Sequence, residues 1–165
     1  MITKNELIVS MRHETDLIQH LASKVTADML EWRPTPEQRS IHELLQYMPC
    51  MAKIGAENLF TGNWDHAPGM SEESEGTTLE NFAERMDSQM AFIEHRLVEA
   101  DETTARATAH TQPWGTPTTQ AAATVDLVLK CFVAYRMQFF LYLKQCGHPE
   151  LNSGDCWVGA APSEA

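Results

Sequence analysis

The sequence predicts an all-α fold, an antiparallel four-helix bundle, and three observations carry that prediction. Apolar residues recur at spacings of three and four in four separate stretches, no stretch shows the two-residue alternation of a strand, and no segment repeats another. The connections between the stretches are long enough to allow a non-sequential arrangement of the helices. A chain of 165 residues fits one domain, 1–165. Such a chain buries about two thirds of its unfolded surface without a disulfide or a structural metal.

The first helix is expected over Asn5 to Val25, with Leu7, Ile8, Met11, Ile18, Leu21, Ala22 and Val25 on one face and Thr15 among them. His13 and His20 fall roughly opposite that stripe and are expected in solvent. In "EWRPTPEQRS" two prolines stop helix formation, and Ser40 with Glu43 makes a capping box that opens a second helix. Its apolar face is Ile41, Leu44, Leu45, Met48, Ala52 and Leu59. Gly55 lies in that face, where a missing side chain lets another helix pack closely, and Pro49 is expected to kink the helix by removing the bond to the Leu45 carbonyl.

"TGNWDHAPGMSEESEGTT" has no period and is expected to be a loop. Thr77 with Glu80 reads as a second capping box, and Leu79, Phe82, Met86, Met90, Ile93 and Leu97 mark a third helix running to about Ala100, with His95 off its stripe. Residues Asp101 to Thr119 read as an irregular connection whose Trp114 either lids a pocket or, more commonly, tacks onto the core. The fourth helix is expected over Gln120 to Gln145, stopped by Gly147 and Pro149. From about residue 148 to 165 the tail is expected to be irregular, with Trp157 pinned to the bundle and the last residues frayed.

Composition excludes several classes of function. With 23 acidic against 12 basic residues the net charge is -11, which works against nucleic acid and anionic membrane surfaces as partners. No apolar run approaches the roughly 18 to 20 residues of a membrane span, and the N-terminal stretch has no signal-like apolar core, so a cytoplasmic protein is expected. The four cysteines form no CxxC pair and suit reduced thiols. Nine methionines and the apolar excess of the fourth helix leave room for a homodimer.

The fourth helix carries the candidate site. At 100° per residue, Val125, Val128, Phe132, Phe139 and Leu143 form a dry seam with Arg136 inside it, and Cys131, Tyr135, Gln138 and Tyr142 form an adjacent polar stripe. Burying an unpaired polar group costs about 1 to 3 kcal/mol, so these groups line a pocket, pair with one another or face water. Metal chemistry has no support from spacing: ExxH, HxxxH and HExxH are all absent, and Cys146, His148 and Cys156 in the tail lack the second close pair of a zinc site.

The stretch "EWRPTPEQRSIHELLQYM" resembles the segment of DinB-like proteins in which a tryptophan and prolines precede a helix opened by "RSI". "YRMQFFLYLKQCG" is similar to that superfamily's last bundle helix, and "ELNSGDCWVG" to its ending, so the resemblance covers nearly the whole chain. It implies a four-helix bundle, commonly dimeric, in which one histidine on the second helix and two, four apart, on the fourth bind a divalent metal. Characterised relatives include metal-dependent transferases of low-molecular-weight thiols and a thiol-dependent isomerase. Carried over one at a time, the three ligand positions fall on Tyr47, Cys131 and Tyr135, and none is a histidine. A phenol is a poor ligand for divalent ions at neutral pH, so the expectation is a pocket without metal or other cofactor, with Gln138, Tyr142 and Arg136 as its neighbours. The chain then serves as a small-molecule-binding or structural protein. The alternative is a metal- or thiol-dependent transferase using the same pocket, with Cys131 or an activated Tyr135 as its reactive group.

Overall fold

The structure, a computed structural model, describes residues 2–159; the expected fraying of the last residues lies outside that range. Four long helices share one apolar core: α1 (Lys4–Ala22), α2 (Ile41–Thr61), α4 (Phe82–Glu99) and α7 (Lys130–Cys146). Two of them open on capping boxes. Thr3 and Glu6 form a capping box for α1, and Ser40 and Glu43 form the predicted one for α2. The expected box at Thr77 and Glu80 does not form. Thr77 is buried and donates to the Ser74 carbonyl, and α4 begins after Asn81.

The helices are arranged around the core in the order α1, α4, α2, α7. Lys4 reaches the Ala100 carbonyl and Gln19 reaches Asp87, so α1 and α4 run antiparallel. Tyr47 meets Tyr135, and Gly55 meets Leu127, so α2 and α7 also run antiparallel. The pairs α2 with α4 and α1 with α7 run parallel, as Glu57 with Arg96 and Glu14 with Arg136 show alongside Met48 with Gln89 and Lys24 with His148. A parallel pair of consecutive long helices requires the chain to travel back along the bundle. That return is made by α3 (Ala67–Ser74), a short helix in the stretch expected to be a plain loop. His66 bonds to the Ile54 carbonyl at its start, and Ser74 donates to the Gln46 carbonyl at its end.

The second long connection is also ordered. Asp101 caps a short helix, α5 (Glu102–Ala107), and the strands β1 (Ala109–Thr111) and β2 (Pro117–Thr119) then pair as a hairpin. Its turn contains Gly115 at φ 87, a left-handed conformation that favours glycine. Trp114 sits at the hairpin tip and is 64% exposed, so it is not anchored to the core.

The fourth bundle element begins as α6 (Gln120–Thr124), widens into a π-helical turn over Val125–Leu129 and continues as α7. Gly55 of α2 faces that turn. A Cβ there would stand 2.6 Å from the Leu127 carbonyl oxygen, so close packing explains the glycine. Helix α2 runs unbroken through Pro49. The Gln89 side chain enters from α4, donating to the Met48 carbonyl at 3.0 Å and accepting from the Ala52 and Lys53 amides at 3.1 Å. It ties α4 to the turn of α2 that follows the proline.

The tail is not irregular throughout. Asn152 and Asp155 cap a short helix, α8 (Ser153–Trp157), which returns to α1 and α7. Trp157 lies over the Arg136 guanidinium at 4.7 Å while remaining 59% exposed.

Candidate functional site

Tyr47 is presented by α2, and Cys131 and Tyr135 by successive turns of α7, where the two helices run antiparallel and face each other. The sequence spacing produces this directly: residues four apart on a helix share a face, so Cys131 and Tyr135 point the same way. The Tyr47 and Tyr135 rings lie 5.0 Å apart between centroids and are tilted by 59°. All three side chains are half-buried at the margin of the core.

Burial is the main influence on their chemistry. It pushes the Tyr47 phenol well above its ordinary value, the neighbouring Tyr135 hydroxyl adds to the effect, and Cys131 pushes in the same direction. Arg39 opposes the shift more weakly. Burial also raises the Cys131 thiol. Neutral pH therefore finds a protonated phenol at Tyr47 and a protonated thiol at Cys131.

Further along α7, the Gln138 amide donates to the Tyr142 hydroxyl at 2.8 Å, and Tyr142 packs edge-on against Trp32 at 5.4 Å. The two residues are thus joined one turn apart on α7. Arg136 does not join it. Only 1% exposed, it donates through Nε to Glu14 at 2.5 Å and through Nη1 to the carbonyl of Cys156 at 2.7 Å and its sulfur at 2.9 Å. One residue past Tyr135 is a rotation of about 100° round the helix, which turns the guanidinium toward α1 and α8.

The histidines divide similarly. His13 and His95 are exposed, as expected. His20 is not solvated, because α8 covers it and Asp155 bonds to its Nε2 at 3.0 Å. Burial alone would raise the Asp155 carboxyl, but the bonds from His20 and the Asn152 amide outweigh it and hold the group below its ordinary value. Among the described residues no three His, Cys, Asp or Glu side chains gather as a metal-binding group.

Pattern reading missed Arg39. Its guanidinium stacks 4.1 Å from the centre of the Tyr47 ring, beside an open cleft lined by Arg33, Glu37, Arg39, Glu43 and Gln138. Arg39 stands immediately before the Ser40 cap, outside the periodic part of the helix, so no spacing rule reports where its long side chain folds.

This arrangement of long helices is the fold of DinB-like proteins. One solved structure that shows it is the crystal structure of YjoA, a DinB-like protein from Bacillus subtilis: the two chains are 18% identical, the match covers 89% of this chain and 95% of that one, and the TM-score is 0.67. No family model matches the sequence, and a search of curated proteins finds no match. Among the described residues no helix is long and apolar enough to cross a membrane.

Proposed function

We propose that this DinB-like chain is a small-molecule-binding protein whose site works without metal, built on Tyr47, Cys131 and Tyr135. The approach of the two phenol rings to 5.0 Å at a half-buried position between α2 and α7 carries the reading. Two aromatic faces, two hydroxyls and a thiol offer stacking area and hydrogen bonds, the usual equipment of a small-molecule site. The donor set does not fit a divalent ion. It offers no histidine or carboxylate, and a phenol is a poor ligand for divalent ions at neutral pH. The raised Cys131 thiol counts against a transferase in which it attacks as a thiolate.

Metal analysis of untagged protein tests the reading. The expected result is zinc, nickel and iron each far below one ion per chain. Stoichiometric metal that disappears in a Cys131→Ala, Tyr135→Ala double variant would overturn the metal-free site and restore the transferase alternative.

A further inference from the structure

The arginines of this acidic chain are nearly all occupied. Of its seven, Arg12, Arg33, Arg96, Arg106 and Arg136 pair with carboxylates, and Arg85 donates to the Glu73 carbonyl. Arg39 alone makes neither a hydrogen bond nor an ion pair among the described residues. A protein with 23 acidic residues has no shortage of partners for it. Glu43, the nearest candidate by position, is already committed: it accepts from the Ser40 amide at 2.7 Å and pairs with Arg33 at 3.3 Å. Glu37 lies on the exposed side of the same cleft.

The unpaired guanidinium is also positioned. Its central carbon stands 4.1 Å from the centre of the Tyr47 ring while none of its N–H donors is taken among the described residues, and those donors are the part of arginine that matches a carboxylate or phosphate with two parallel bonds. We propose that Arg39 is the anion-binding group of the Tyr47 site, and that the ligand is a small molecule with a terminal carboxylate or phosphate and a flat apolar body. The oxyanion lies on Arg39 in the cleft that Gln138 borders, and the body extends from there toward the half-buried Tyr47 and Tyr135 side chains. The overall negative charge of the protein repels small anions in general, so binding depends on this local contact. The proposal rests on the small-molecule reading above and specifies the chemistry of its ligand.

Titrations with benzoate, phenyl phosphate and the neutral benzamide, followed by nitrogen NMR at Arg39 Nε and the Gln138 side-chain amide, test it. Saturable shifts with either anion, at least tenfold weaker with benzamide, support the clamp; the anion that saturates earlier identifies the preferred oxyanion. A hydrogen bond to a charged group justifies a loss of about tenfold or more in Arg39→Gln, with Arg12→Gln unchanged as a control on general charge. Arg39→Lys, which keeps the charge and loses the fork, is expected to fall between. Benzamide binding as tightly as benzoate, or full anion affinity in Arg39→Gln, overturns the clamp and leaves a small-molecule site standing. Absence of saturable shifts with all three probes overturns both.

Discussion

Two faces of α7, one residue apart, spend their polar groups in opposite ways. On one face Arg136 is sealed between α1 and α8, its donors taken by Glu14 and Cys156 and its plane covered by Trp157. On the other, Cys131 and Tyr135 are half-buried against Tyr47 of α2, and the arginine over Tyr47 makes no hydrogen bond or ion pair among the described residues. A closed and satisfied cluster fixes the position of helices. An open one, with donors left over at a cleft, is where a ligand can complete the set. The difference explains why a core helix tolerates so many polar side chains: it serves two purposes on two sides.

The sharpest test of this contrast is to leave the Arg136 charge without its partner. Glu14→Ala strands a buried guanidinium and is expected to cost about 3 to 5 kcal/mol, the usual penalty for breaking a buried ion pair. Urea unfolding measures it, and a loss below about 1 kcal/mol, typical of exposed pairs, would show that the cluster is solvated. The two cysteines sharpen the same comparison by rate. Cys156, 2% exposed beneath Trp157, is expected to resist thiol reagents until the protein opens, whereas half-buried Cys131 should label faster than Cys156 and more slowly than in urea. Equal native rates, followed site by site by mass spectrometry, would remove the distinction between the faces.

What was legible in the sequence follows the range of the forces involved. The long helices, the Ser40 cap and the tight packing at Gly55 all arise from residues a few positions apart or from an apolar period, and the sequence shows both. So does the meeting of Cys131 with Tyr135, which is one turn of one helix. The path of α3 back along α2 was hidden, because polar contacts at Gln46, Lys53 and Ile54 tie α2 to a polar segment without period. Arg136 was placed at the wrong site for a related reason. Sequence fixed its angle on α7, but the partners that decide its role, Glu14 and Cys156, come from opposite ends of the chain. Arg39 lay beyond either rule, since a long side chain outside a helix has no period to follow.

The smallest expected effect separates the two faces by pH. Tyr47 has a raised value in the folded protein, so the folded state holds its proton more tightly than the unfolded state, where the phenol titrates near 10. Its contribution to stability is therefore complete below about pH 10 and declines as pH rises beyond that point, because the unfolded chain loses the proton first. Cys131 adds a decline of the same sign that begins near its ordinary value of 9. Tyr47→Phe removes the first contribution while keeping the ring, and is expected to change stability at pH 7 by about 1 kcal/mol or less, the net worth of one hydrogen bond. Its stability should fall less steeply than the wild type between about pH 9 and 11, whereas Glu14→Ala, which leaves Tyr47 and Cys131 untouched, should keep the wild-type slope there. Thermal melts across that range decide the matter. Parallel curves for wild type and Tyr47→Phe would mean that the phenol is as well hydrated in the folded protein as out of it, and the face bearing Tyr47 would then be open surface and not a pocket.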